Sequence, residues 1–487
     1  MAQVLSIVPE SSKDMIRGAQ ALYNADKLDD AYTVVQDYLA KEPNDAQALV
    51  LAATILKKAK KTPIAYTVAK RATEIRPDRP EAWVTFGQCA QHLWRLDEAM
   101  DAYEKALKRA TSKEQKALFL NNIGSIYIDQ GKFSEAEKHI RKSLDLVPED
   151  SFARHNLGLS LLAQKRWQEG WPYYSASVGT FNRLQYKYRN DPEEPTWDGT
   201  KGQKVIVHGE QGIGDEISFA SMVPDACNDA SVIVDCDKRL TGLFRRSFPK
   251  AKVYGTRTQK QLAWDEEDRS FDASISMGEL GRFYRNDDSS FPGTPYLVPC
   301  PERTTGWKAA FAAKGKPVIG IAWSGGTWEN GASNRFLPLD EWEPIFSAID
   351  AHWVNLEYKD KTKEAAEHGV VTYPWATLTK DYDDTASLVA ACDLVICMQT
   401  AVAHLAGALG VPVWTMVPSN SQWRYGEATE SLPWYKSLRI FKARGSWGPV
   451  VHRIASELKT VRYWDCSHCD GRHFGEVCPN SHKDYSK

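Results

Sequence analysis

Residues 204–226 read KVIVHGEQGIGDEISFASMVPDA, and this stretch decides the architecture of most of the chain. KVIVH is a β-branched run that predicts a strand, GEQGIG is rich enough in glycine to turn, and EISFASMV has helical apolar spacing. Strand, loop and helix in that order open a parallel α/β sheet. Downstream, SVIVDCD, AKVYG and DASISM repeat the strand pattern, each beside a helical stretch. After Pro292, Pro295, Pro299 and Pro301 the pattern restarts with PVIGIAWSGG and continues through WVNLEY, DLVICM, VPVWTMV and LRIF. Two Rossmann-like halves are expected, over residues 200–302 and 315–460. Ligands of such sheets bind beyond the carboxyl ends of the strands. That rule singles out three loops facing one cleft: GEQGIGD, WSGGTWENGASNR and MQTAVAHLAG.

Upstream, a polar linker with Pro192, Pro195 and Gly199 separates these halves from a different pattern. Pro43 and Pro77 lie 34 residues apart and each closes a similar helical pair, the period of a tetratricopeptide repeat. Small residues recur where paired helices must approach: Ala19, Ala53, Gly87, Gly124 and Gly158 in the first helix, Ala31, Ala65, Ala99 and Ala136 in the second. Trp83, Gly87, Ala99, Tyr103 and Ala106 make the third unit the best match, and the fourth is shifted by a three-residue insertion near Ser112 to Glu114. The fifth, around Gly158, Trp167 and Gly170, is degenerate, as a capping unit would be. The repeats are placed at residues 10–180. One helix pair cannot bury its apolar face alone, so stacking builds the core and leaves a concave surface on which a protein partner could dock. A spacer or oligomerisation arm is the alternative.

Composition narrows the function classes. The chain has 487 residues, 61 Lys and Arg against 63 Asp and Glu, and a formal charge of −2, so no global field draws it to nucleic acid or anionic lipid. Its first residues lack a secretory signal, and stretches such as VPVWTMV fall well short of a membrane span. No membrane partner is expected. Of nine cysteines, Cys89, Cys227, Cys236, Cys300, Cys392 and Cys397 are scattered as in a reducing cytosol, so the expected location is cytoplasmic.

The loops carry the candidate chemistry. Gly209, Gly212 and Gly214 allow a tight turn and close approach to a ligand, and Asp215 follows where the helix opens. The spacing GxxGxGD fits neither the dinucleotide nor the P-loop fingerprint. Asp215 reads either as a helix cap or as a catalytic carboxylate. In the second half, Thr400 caps a helix that begins Ala401, Val402, Ala403, His404, and its N-terminus can receive an anion. A dipole alone contributes about 0.3–2 kcal/mol, so charged donors must add more, and Arg335 and His404 are the candidates.

HGEQGIGDEISFA, GIAWSGG followed by NRFLPL, TAVAHLAGALGVPVW, and QWRYG followed by LPWYKSLRIF resemble the glycosyltransferase domain fused to tetratricopeptide repeats in many bacterial proteins. That domain is related to the lipopolysaccharide heptosyltransferases and, more distantly, to the O-linked N-acetylglucosamine transferases. The resemblance covers about residues 200–460 and implies a GT-B fold of two Rossmann-like domains behind an all-α solenoid. It implies an inverting transferase, with the nucleotide-sugar donor in the second half, the acceptor in the first, and no catalytic metal or other cofactor. By the resemblance Asp215 is the general base, Thr400 and His404 belong to the donor-phosphate block, and Arg335 is its basic residue. Gly212, Gly214, Ser324, Gly325 and Ala401 lie in the matching loops, and Trp323, Trp423, Arg424 and Trp434 match aromatic and basic positions. Gln399 stands where relatives usually carry Asp. This departure keeps a second reading open, a repeat scaffold whose transferase half has lost activity. Asp235 with Asp237 and Asp381 with Asp383 formally match the Asp-x-Asp motif of metal-dependent transferases, and are read as surface or capping residues.

The tail at 463–487 holds Cys466, Cys469, His473, Cys478 and His482 in a segment too short for an apolar core. Cys466, Cys469, His473 and Cys478 come one residue short of zinc-knuckle spacing, and Cys466, Cys469, Cys478 and His482 form a competing tetrad. A structural zinc and a disordered tail are the two readings. A knuckle would admit single-stranded nucleic acid as partner and modified nucleic acid as acceptor; the balanced charge argues against both.

Overall fold

The computed structural model describes residues 12–180, 183, 188, 194–257, 264–326, 335–379, 381–427, 429–461, 463–465 and 472–474, the last two segments by backbone alone. The chain divides into two compact units, Met1–Ser160 and Leu161–Lys487. Among the described residues no helix is long and apolar enough to cross a membrane.

The first unit is a run of paired helices: α1 (Ser12–Asn24) with α2 (Leu28–Lys41), α3 (Ala46–Lys58) with α4 (Thr62–Ile75), α5 (Pro80–His92) with α6 (Leu96–Lys108), and α7 (Lys113–Asp129) with α8 (Phe133–Leu146). A ninth, α9 (Ser151–Ala163), crosses the boundary. The small residues at the 34-residue period close the pairs. Ala19, Ala31, Ala53, Ala65, Ala99 and Ala136 are fully buried. A Cβ on Gly87 would stand 2.7 Å from the Tyr103 ring, and one on Gly124 2.4 Å from Ile140. The period is also written in the backbone. Asp26, Lys60, Trp94, Gly131 and Lys165 follow first helices in left-handed conformation, φ 58–70°, at intervals of 34, 34, 37 and 34 residues. Four of the five are not glycine, although that conformation costs about 1–2 kcal/mol per residue. The long interval is the insertion. Ser112 accepts a hydrogen bond from Gln115 N–H, and α7 runs for 17 residues against 13 in α5.

The second unit opens with α10 (Trp167–Tyr174). Trp171 lies where Gly281 leaves room for it, since a Cβ there would come within 2.5 Å, and donates its indole N–H to Arg285 O at 2.7 Å. Two sheets follow. The first is parallel throughout, in the order β3 (Lys252–Tyr254), β2 (Ser231–Asp235), β1 (Lys204–His208), β4 (Ala273–Ser276). The second contains β5 (Val318–Ala322), β6 (His352–Asn355), β7 (Val371–Thr372), β8 (Leu394–Met398), β9 (Val413–Val417), β10 (Ser431–Leu432) and β11 (Tyr435–Lys442), in the order β10-β11-β9-β8-β5-β6-β7. Only β10 runs antiparallel to its neighbour there. Val205, Ile206 and Val207 are fully buried in the first sheet; Ile319, Ile321, Leu394 and Ile396 pack with Trp342, Phe441 and Ile454 around the second. Arg246 clamps Asp383 through both guanidinium arms at 2.8 and 2.7 Å and ties the sheets together.

Strand order locates the switch points. The chain leaves β1 toward β2 and β3, then returns to the other side at β4; it leaves β5 toward β6 and β7, then returns at β8. The crevices lie beyond β1 in one sheet and beyond β5 and β8 in the other, where the three loops emerge. In the tail, Tyr463–Asp465 pairs antiparallel with Arg472–Phe474.

Candidate functional site

The loop after β1 uses its glycines differently from the sequence expectation. None of Gly209, Gly212 and Gly214 has positive φ; the left-handed residue is Gln211, at φ 56°. Gly209 makes room for a side chain, because a Cβ there would stand 2.4 Å from the Glu216 carboxyl. Glu216 is fully buried, accepts from Asp237 N–H at 2.8 Å and lies 2.7 Å from Arg257 Nε, an ion-pair approach without hydrogen-bond alignment. Burial pushes its carboxyl up to about 8, with Arg257 pulling the other way. Gly214 serves close helix packing. A Cβ there would meet Ala401 Cα and His404 Cδ2, both at 3.3 Å, so α11 (Ile213–Ala220) lies directly against the helix Ala401–Leu409.

Asp215, in the first turn of α11, has both carboxylate oxygens engaged. Oδ2 accepts from Gly212 N–H at 3.2 Å and Oδ1 is 2.9 Å from Arg424 Nη1. Its side chain is 26 % exposed, while that of Arg424 is 3 % exposed. The Arg424 guanidinium stands 4.5 Å from the Phe219 ring of the first half and 4.5 Å from that of Trp423. Its Nε and Nη2 are buried without a hydrogen-bond partner. The turn that carries it is pinned by Lys442, whose ammonium donates to Gly426 O at 2.6 Å and Glu427 O at 2.9 Å, and whose burial lowers it to about 8. Gly426, at φ 58° and ψ −177°, has a backbone conformation open essentially to glycine alone. Arg335 is buried too; desolvation holds it below the usual arginine range against the opposing pull of Tyr425 and Asp215.

Thr400 caps the helix Ala401–Leu409, its hydroxyl accepting from Val402 N–H at 3.2 Å, and its methyl fills the space a Cβ on Gly325 would need. His404 is buried with Nδ1 3.2 Å from the Tyr435 hydroxyl and Nε2 3.5 Å from that of Tyr425. Tyr296 extends the chain, 3.4 Å from Tyr435 and donating to Ile217 O at 2.6 Å. Burial, aided by Arg424, pushes His404 down to about 3, so its ring is neutral at ordinary pH. It can orient a ligand but brings no charge, which leaves the cationic role to the arginines. Gln399, at the end of β8, is 2 % exposed, and neither Oε1 nor Nε2 has a partner.

The remaining sequence candidates divide by burial. Trp323 is a core residue that donates to Glu364 Oε1 at 2.8 Å, and Trp434 packs among Trp167, Phe291 and Trp423. Ser324 donates its N–H and hydroxyl to Glu357 at 2.6 and 2.9 Å. Glu357 follows β6, is 1 % exposed and is pushed up to about 7 by burial. The sequence reading missed it, though a carboxylate inside the predicted strand WVNLEY was the available signal. It also missed Arg183, which binds Glu210, Glu279 at 2.8 Å, Ser276 at 3.1 Å and Tyr174 O at 2.8 Å. Of the Asp-x-Asp matches, Asp237 and Asp381 cap turns as expected. Asp235 and Asp383 are not on the surface: Asp235 accepts from Thr256 and Tyr188, and Asp383 holds Arg246. Cys466, Cys469, Cys478, His482 and the His473 side chain lie outside the described residues. Among the described residues no group of three or more His, Cys, Asp or Glu could hold a metal ion.

Residues 78–149 and 121–184 match models of the tetratricopeptide repeat, and residues 24–106 match that of anaphase-promoting complex, cyclosome, subunit 3. The N-terminal region is a tetratricopeptide-repeat solenoid, joined to a region of parallel sheets. Over most of its length the chain is similar to Protein FlbA of Caulobacter vibrioides, 29 % identical over 453 residues, which cover 87 % of this chain and 74 % of FlbA. The BBSome complex member BBS4 homolog of Drosophila melanogaster is 25 % identical over 159 residues, 32 % of each protein. The crystal structure of MamA protein aligns at 15 % identity and a TM-score of 0.30, over 36 % of this chain and 98 % of its own.

Proposed function

We propose that the second unit is an inverting, metal-independent glycosyltransferase of the GT-B class, and that the repeats dock its acceptor, a protein or a glycan. The observation that supports it best is the meeting of Asp215, beyond β1, with Arg424 and the N-terminus of the helix Ala401–Leu409, both beyond the second sheet. A carboxylate thus meets a buried cation and a helix N-terminus where the switch points of the two sheets come together. Asp215 takes the proton of the acceptor hydroxyl as its oxygen bonds to the anomeric carbon. The bond to the donor diphosphate breaks with its electron pair, and Arg424, Arg335 and the helix N-terminus stabilise the departing charge. Thr400 and His404 orient the phosphates, and Glu357 with Ser324 shapes the donor side of the crevice. The protein acts in the cytoplasm, with a structural zinc in the tail that metal analysis before and after chelation tests.

A thermal-shift screen of nucleotide sugars identifies the donor, since a ligand at 100 times its Kd stabilises the fold by about 2.7 kcal/mol. With that donor, Asp215→Asn lowers hydrolysis and transfer by about 10²–10⁴-fold. The Gln399 departure favours a second reading, a non-catalytic repeat scaffold with a degenerate transferase unit. Equal background hydrolysis in the native protein and Asp215→Asn would establish that scaffold instead.

A further inference from the structure

We infer that Asp215 and an incoming diphosphate compete for one guanidinium, that of Arg424, so that the carboxylate is released to the acceptor only once an anion occupies the donor side. The inference deepens the proposed transferase reading and rests on it. Arginine carries five N–H donors, yet in Arg424 only Nη1 has a partner. Nε and Nη2 are shut away from both protein acceptors and solvent, an arrangement that costs free energy until an acceptor arrives. On the second sheet, Gln399 just past β8 is also buried with neither end of its amide paired. Buried donors without a protein acceptor are tolerated where a ligand supplies one.

The geometry makes the two partners exclusive. In the paired form the unused nitrogens of Arg424 are sealed beneath Phe219 and Trp423, so phosphate oxygens cannot reach them while Nη1 stays on Asp215. Asp215 in turn has Oδ1 on Arg424 and Oδ2 on Gly212 N–H, so each oxygen already faces a donor. Transfer of Arg424 to a diphosphate satisfies the first group and uncovers the second in one movement. Donor binding then arms the base, and water or acceptor arriving early meets an occupied carboxylate. The charges balance: a guanidinium held by one carboxylate passes to a polyanion that carries at least as much negative charge.

Inorganic pyrophosphate is the probe, titrated calorimetrically into the full chain for the native protein, Asp215→Asn, Arg424→Gln and the double variant. Competition predicts that Asp215→Asn binds pyrophosphate about tenfold more tightly, that Arg424→Gln weakens it, and that Asp215→Asn adds nothing on the Arg424→Gln background. Unchanged or weaker binding by Asp215→Asn overturns the competition. So does equal tightening in both backgrounds, which would report only the loss of a nearby negative charge. If none of the four proteins binds pyrophosphate, the donor-site reading itself fails and carries the competition with it. Arg424→Lys, which keeps the charge but not the fork of donors, replaces Arg424→Gln should the latter not fold.

Discussion

Arg183 and Arg424 are two buried arginines of the same unit, and they are used in opposite ways. Arg183 spends every nitrogen: Nε and Nη2 on Glu210, Nη2 again on Ser276 and Glu279, Nη1 on Tyr174 O, with the Tyr174 ring 4.0 Å from its centre. Arg424 spends one nitrogen on a partly exposed carboxylate and leaves two buried and idle. A satisfied buried charge fixes a fold; an unsatisfied one is tolerated where a ligand completes it. The difference teaches which arginine to assign to architecture and which to chemistry. It should be visible as a large stability cost at one and a small one at the other.

The largest effect falls on the architectural side. Arg183→Met leaves Glu210 and Glu279 buried without their cation and costs about 3–5 kcal/mol, measured by urea denaturation of the second unit. A loss below about 1 kcal/mol would break the comparison, because the network would then be incidental. Gly278 belongs to the same network, since a Cβ there would stand 2.3 Å from Glu210 Oε1.

Titration sharpens the comparison from the other side, where groups are kept neutral rather than paired. His404 accepts its proton near 6.5 when unfolded but only near 3 when folded. Between those values the unfolded chain binds more protons, so stability falls as the pH drops through that window. Thermal melts from pH 7 to pH 4 should therefore show the gap between the native protein and His404→Gln narrowing by about 3 kcal/mol. A constant gap would mean that the histidine is not sealed. Glu357 has the reverse sign. Its folded value near 7 lies above the unfolded 4.5, so the folded protein holds the extra proton and stability falls as the pH rises through that interval. Glu357→Gln should gain about 2 kcal/mol on the native protein between pH 5 and pH 8, by the same melts.

What the sequence made legible follows from range. The repeats were readable because their determinants are local and periodic: Ala53 and Ala65, or Gly87 with Tyr103, meet within one helix pair. The strand, loop and helix from Lys204 to Ala220 were readable for the same reason. The jobs of the loop glycines were not. Gly209 answers to Glu216 and Gly214 to His404, and the second of these contacts joins residues almost 200 positions apart. Nor could spacing reveal that His404 sits between two tyrosine hydroxyls and is neutral, since Tyr425 comes from a short helical turn and Tyr435 from the start of β11. Asp215 was legible as a residue of interest; its pairing with Arg424 needed the fold.

The smallest stability effect belongs to Arg424, and it is the most telling. Arg424→Met keeps the stem that packs against Phe219 and Trp423 and removes three buried N–H donors that have no acceptor. Asp215 loses its partner but is exposed enough for water to take the place of Nη1. Replacing a poorly satisfied buried charge by an apolar side chain of similar length is close to neutral, so the change in unfolding free energy should stay within about 1 kcal/mol. Pyrophosphate binding should nevertheless weaken. An arginine that could be removed without cost and without losing the anion would have no role in either fold or site. A loss of several kcal/mol would place Arg424 beside Arg183 as part of the framework. The expected result, a stable protein with weakened diphosphate binding, separates a ligand-binding arginine from a framework one.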